Sequence, residues 1–233
     1  LKLVDDEVTI TRNIKTMGMS EAEMDEVISE FFGKENPYLG IYSKADGNHL
    51  RIIARARDEA AARLLIDPVE KAIEERLAPY IWGYDEETPQ QTVGIRLRQR
   101  GLTLATMESC TGGYLVNSLT DSPDSASYFK GGVVAIGDGV KIAHGVPAKV
   151  IERHGAVSQE TANAMAQAVR KGLGSDYGIG IAGDDGSSPG DGPPAGLAYL
   201  SMVGPNSSRE MELRVPPRRV TVKRRMSNNA LIE

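Results

Sequence analysis

Cysteine is almost missing from this 233-residue chain: Cys110 stands alone, so no disulfide can close within it and no zinc cluster can be built on thiolates. Such cysteine usage fits a reducing cytoplasm. No run of 18 apolar residues occurs, and "LKLVDDEVTITRN" is too polar for a signal peptide, so neither membrane spanning nor secretion is expected. Basic excess is lacking too. The net charge is −5, which leaves no global field to recruit nucleic acid. Histidine is sparse and scattered, at positions 49, 144 and 154, and makes neither a metal site nor a triad. Internal repeats and low-complexity tracts are absent.

What remains is ordinary soluble-protein composition, 40% apolar and 25% charged, in a chain long enough for one large domain or two small ones. Residues 1–85 read as one α+β unit of order β-α-β-β-α. "DDEVTITR" alternates like a strand, and Ser20 with Glu23 has capping-box spacing before a helix that stops at Gly33. Two alternating runs around Asp46-Gly47 read as a hairpin. The stretch 58–81 is helical, with Pro68 expected to break it and to start a second helix. "GYDEETPQQ" marks a boundary, with Thr88 and Pro89 opening a helix. Residues 86–233 then alternate helices and strands as in an α/β layer fold: helix 89–100, strand 102–107, helix 113–120, strand 130–136, helix 158–172, strands 176–182, 195–203 and 209–215, helix 220–232.

Chemistry concentrates in "TLATMESCTGGYLVNSLT", a buried strand, a small-residue loop and a helix. Ser109, Cys110 and Thr111 are successive nucleophile candidates ahead of Gly112-Gly113. Backbone N–H groups opening a helix suit an anion, because the first helical donors lack internal partners. The residues alone fit either a tight structural turn or a ligand loop. Cys110 reads as a small buried residue, with no histidine in the sequence pattern to activate it.

"ESCTGG", "DSASYFKGGVVA", "HGAVSQETANAMA" and "IAGDDG…GLAYL", in this order, resemble the CinA family, named for competence and damage induction. The resemblance covers residues 86–233. Residues 1–85 resemble the KH-like middle region of longer members, through "TRNIKTMGMSEAEMDEVI" and "IWGYDEET". The implied architecture is a layered CinA-type α/β domain after a small KH-like one. The N-terminal molybdopterin-binding-like domain of longer relatives, and the pyrophosphatase activity some place there, are not expected here. The implied activity is hydrolysis of the carboxamide of nicotinamide mononucleotide to nicotinate mononucleotide and ammonia, with no metal or cofactor. The resemblance puts a ligand loop at Glu108, Thr111, Gly112 and Gly113, with Arg219 as a phosphate clamp, Ser109 as nucleophile and Lys141 as base.

Several positions depart from the family pattern. Where relatives read G-S-S-A, this chain has Asp124-Ser125-Ala126-Ser127, so Ala126 replaces the serine taken as the family's nucleophile. Ser125 and Ser127 flank it, each rotated about 100° on a helical period. Where relatives read V-x-Y-S-N-E-x-K, the tyrosine is Ile136 and the asparagine Asp138, while Lys141 is kept. A carboxylate three residues before Lys141 favours its charged form over a base. The threonine of T-G-I-A-G falls on Ala182 without a gap, or on Ile179 if "GIAG" is aligned; neither has a hydroxyl. Asp184, Asp185 and Asp191 make the following glycine-rich loop acidic, but it lacks an EF-hand pattern. Six of the twelve residues 214–225 are basic, with Arg219 and Arg224 matching family arginines.

The expected function is therefore a nucleotide- or anion-binding pseudoenzyme on the amidase fold. An active or weak amidase using Ser109 and Lys141 is one alternative, and a dimeric interaction scaffold is another. Relatives form dimers, so a homodimer is expected. Nucleic acid is not, because the basic segment has no interleaved aromatic and the first unit shows no G-x-x-G clamp.

Overall fold

The computed structural model describes residues 7–184, 194–215 and 219–232, with the side chains of 219–221 outside the described set. The chain divides into two compact units, Leu1–Pro89 and Gln90–Glu233.

The first unit runs β1 (Val8–Thr16), α1 (Glu21–Ile28), β2 (Tyr38–Lys44), β3 (Gly47–Ala56), α2 (Glu59–Leu77) and β4 (Ile81–Tyr84), in an antiparallel sheet of order β2-β3-β1-β4. Both halves of the capping box form at α1: the Glu23 N–H donates to Ser20 Oγ at 3.3 Å, and the Ser20 N–H donates to Glu23 Oε2 at 2.8 Å. The hairpin turns at Ala45-Asp46. Gly47 follows with φ +115°, where a Cβ would lie 1.9 Å from the Thr16 carbonyl oxygen, so no side chain fits.

The residues α2 buries, Ala62, Ile66, Val69, Ile73 and Leu77, recur at three- and four-residue steps along one stripe. They meet Ile14, Leu50 and Ile52 of the sheet. Each large aliphatic side chain buried there contributes about 1.5–3 kcal/mol. Two expectations are corrected. Pro68 does not split the helix, because the carbonyl it leaves without a donor belongs to Leu64, which is 74% exposed and has access to water. Ile81, expected to end the helix, instead opens a fourth strand, "IWGY", on the free side of β1.

The second unit runs α3 (Pro89–Arg100), β5 (Leu104–Glu108), α4 (Tyr114–Thr120), β6 (Phe129–Val134), α5 (Asp138–Ala143), α6 (Ala148–His154), α7 (Gln159–Leu173), β7 (Tyr177–Gly183), β8 (Leu197–Val203), β9 (Ser208–Arg214) and α8 (Arg219–Ile232). Sheet order is β6-β5-β7-β8-β9, with the first three strands parallel and the last two antiparallel. Apolar clusters lie on both faces. Leu104, Ile179 and Ile181 join Leu115, Val222 and Met226 on one, while Ala105, Met107 and Ala182 join Ala162, Met165 and Val169 on the other. Burial on both faces explains why "GIGIA" of β7 does not alternate in polarity. α5 and α6, of six and seven residues, are elements the sequence reading left out. No helix among the described residues is long and apolar enough to cross a membrane.

Candidate functional site

Parallel strands end together, and the loops leaving them form a cleft, the usual place for a site in an open α/β sheet. Here β5 and β7 run in register, Glu108 opposite Ile181, so the loop after Glu108 and the one after Gly183 share an edge. A cleft of about 170 Å³ opens there, lined by Ser109, Cys110, Gly112, Gly183 and Asp184, together with Ile136, Lys141, Ala156, Val157 and Lys223.

Ser109 is 5% exposed. Its Oγ accepts from the Cys110 N–H at 2.6 Å and the Gly183 N–H at 3.3 Å, and its nearest acceptor is the Gly183 carbonyl at 3.5 Å. Two backbone donors thus converge on the hydroxyl, and the acceptor it has, the Gly183 carbonyl, lies at the outer limit of hydrogen-bond distance. Lys141 is 2% exposed. Its Nζ donates to Asp138 Oδ1 and to the Ile136 carbonyl, both at 2.9 Å. Both partners are acceptors, so two of the lysine's N–H bonds are directed at Asp138 and Ile136 and not at the serine. No hydrogen bond joins Ser109 to Lys141.

The "ESCTGG" residues divide between cleft and scaffold. Ser109, Cys110 and Gly112 line the cleft. Glu108 does not: its side chain is fully buried, and its carboxylate accepts from the N–H groups of Gly113, Leu115 and Val116 at 2.8–3.1 Å. Those are the opening donors of α4, and in this structure they end on the Glu108 side chain. Gly113, at φ +90°, gives one of these donors and faces Val134, and Thr111 is 1% exposed and away from the cleft lining. Gly112, at φ +61°, leaves room for an ammonium, since a Cβ there would sit 3.2 Å from Lys223 Nζ.

Ser125–Ser127 is a single 3-10 turn just ahead of β6. Phe129 pairs with Leu104, at the beginning of β5, whereas Ser109 follows its end. Five residues of strand, roughly 16 Å, separate the two levels. Within one chain neither Ser125 nor Ser127 can stand in for a nucleophile beside Ser109, and Ala126 removes nothing from this cleft. Ala182 packs toward α7 and Ile179 into the opposite cluster, so neither candidate threonine position lines the cleft. Arg219 begins α8, but its side chain lies outside the described residues, as do Asp185 and Asp191. Arg224 is exposed.

Two charged lining residues were not singled out as ligand groups from the sequence. Lys223 follows Arg219 by four residues, one helical turn, a spacing that was there to be read. In the sequence Asp184 reads only as part of an acidic loop; its place in the cleft follows from the β7–β5 register.

These features define an α/β domain whose polar cleft sits at the carboxyl ends of its parallel strands. Family models agree: the CinA C-terminal domain matches residues 86–233, and the damage-inducible protein CinA KH domain matches residues 11–83. The chain belongs to the CinA family. A CinA-like protein of Synechocystis sp. is 41% identical over 200 residues, covering 84% of this chain and 48% of the relative. Another, of Gloeobacter violaceus, is 37% identical over 217 residues, covering 91% and 50%. The chain thus spans about half the length of the curated relatives it matches. Among solved structures, a CinA-superfamily protein from Escherichia coli superposes with a TM-score of 0.59 at 28% identity, over 61% of this chain and 84% of that one.

Proposed function

We propose that this CinA-family protein binds a small anion of the nicotinamide mononucleotide type in the Ser109 cleft and holds it without hydrolysing its carboxamide. The observation that carries this reading is the wiring of the two candidate catalytic groups. An amidase serine must pass its proton to a base, and the N–H donors nearby must be aimed at the substrate's developing oxyanion. In this cleft the donors of Cys110 and Gly183 end on Ser109 itself, and Lys141 is engaged by Asp138 and Ile136. The lining that an anion would meet includes Lys223 and Lys141, the latter also held by Asp138 at 2.9 Å, beside the carboxylate of Asp184.

Ammonia release from nicotinamide mononucleotide, run beside calorimetric titration of the same compound, tests the reading. The expected result is saturable binding with no ammonia. Ammonia release that vanishes in Ser109→Ala would replace it with a working amidase, and no binding at all would move attention to a scaffold role.

A homodimer in the cytoplasm is the assembly and location we attach to this reading. β6 is an edge strand, and Val134, Ile136, Val140 and Ile142 on it and just beyond are 41–71% exposed, an apolar surface suited to a second copy. Sedimentation of Ile142→Asp is expected to show a shift toward monomer. An unchanged sedimentation coefficient would remove this surface from the interface.

A further inference from the structure

A second cleft, sharing no lining residue with the first, lies at the other end of the same strands. Its floor is Leu104 at the start of β5, Ile179 near the start of β7 and Leu231 near the end of α8, with Leu97 of α3 along one side. The volume is about 380 Å³, within the few-hundred-Å³ range of small-ligand sites. Among the described residues the lining is apolar apart from Arg96, Arg100 and the Tyr177 phenol, and contains no carboxylate. Arg96 and Arg100 are both exposed and stand one helical turn apart, about 5–6 Å, so both guanidiniums can reach one group. Neither has an ion-pair partner among the described residues, whereas Arg98, on the same helix, is held by Asp124 at 2.7 Å.

We propose that this cleft binds a small apolar carboxylate, with its hydrocarbon on Leu97, Leu104, Ile179 and Leu231 and its carboxylate on Arg96 and Arg100. The charge arrangement selects this class. A neutral apolar ligand would make no use of two guanidiniums at an otherwise apolar cleft. A densely charged one, such as a nucleotide phosphate, would have to bury polar groups against four aliphatic side chains without partners. A monoanionic head on an aliphatic or aromatic body satisfies both, because guanidinium pairs carboxylate bidentately while the body removes apolar surface from water. The inference does not depend on what occupies the Ser109 cleft.

Decanoate is the probe, titrated calorimetrically into the full 233-residue chain below its micelle concentration, with decanol as the uncharged counterpart. The expected result is one saturable decanoate site per chain, with decanol at least ~10-fold weaker, the loss expected when charge-assisted hydrogen bonds are removed. Arg96→Gln with Arg100→Gln should weaken decanoate by a similar factor while circular dichroism stays unchanged. Leu97→Trp, which fills the cleft from the α3 side, should abolish binding. Absence of a saturable site, equal affinity for decanol, or unchanged affinity in the double glutamine variant would overturn the proposal. Binding that survives Leu97→Trp in a folded protein would overturn it as well, by placing the ligand elsewhere.

Discussion

The two sheets of this protein are built under different constraints, and a glycine in each makes the difference concrete. In the first unit, helices cover one face, and the other presents Arg51, Arg55, Tyr38 and Tyr42. Gly40 lies on that open face, and the three atoms nearest to a Cβ there belong to the side chains of Tyr38 and Tyr42, at 2.9–3.1 Å. In the second unit α7 lies directly on β7, and a Cβ at Gly180 would come 2.1 Å from the Ala162 carbonyl oxygen and 2.6 Å from the Ala166 nitrogen. An aromatic ring can swing aside, but the backbone of a packed helix cannot. Polar and chemically active groups follow the same division. The open sheet carries them on its face, whereas the doubly covered sheet carries them only where strands end.

The largest test of this contrast is Gly180→Ala against Gly40→Ala. The first is expected to cost at least ~3 kcal/mol, since relief requires α7 to move off the sheet. The second is expected to fall within about 0.5 kcal/mol of wild type, the small strain being offset by the backbone entropy alanine removes from the unfolded chain. Urea unfolding followed by circular dichroism measures both, and similar losses at the two positions would break the comparison.

A second test sets two helix starts against each other. Glu108 caps α4 from a fully buried position with three N–H bonds, while Ser20 caps α1 at the surface. Glu108→Gln keeps the shape but loses the charge and one acceptor oxygen, and about 2–3 kcal/mol is expected. Ser20→Ala should cost about 1 kcal/mol. Loss of ligand affinity in Glu108→Gln with full stability would instead return Glu108 to the binding site.

The smallest effect concerns pH. Asp176 accepts from Thr103 Oγ1 at 2.7 Å and the Thr103 N–H at 2.8 Å, and these bonds, the side-chain one first, hold its carboxyl below the usual range. A folded-state pKa below the unfolded value gives stability that is present above the unfolded value, near 3.9, and disappears as pH falls through the folded value. Thr103→Val should therefore narrow its stability gap from wild type as pH drops below about 4. A gap independent of pH between 2 and 7 would show that the hydroxyl does not act through this carboxylate.

Legibility in the sequence tracked how local each feature is. The capping box at Ser20 and Glu23 and the hairpin at Asp46-Gly47 each need only a few consecutive residues, and both could be read. Pro68 could not be judged locally, because its tolerance depends on the exposure of Leu64, which the packing of α2 decides. α5 spans fewer than two turns, too short for a period to register. β4 is four residues long and is a strand because β1 offers an unpaired edge. Three residues of "ESCTGG" line the cleft, but nothing in those letters separates Ser109, which faces it, from Glu108, which turns back to cap α4.

By itself, then, the sequence determined the family, the α/β rhythm of the second unit and the loop where the cleft forms, since these rest on periodicity, capping chemistry and short motifs. Only the tertiary structure decided which groups meet. Parallel register set Ser109 beside Gly183 and Asp184 and put Ser125–Ser127 at the far end of the strands. A three-residue step on α5 closed Asp138 onto Lys141. The docking of α3 and α8 enclosed an apolar cleft beneath Arg96 and Arg100. Each of these depends on strand direction and helix placement, which residues distant in sequence fix jointly.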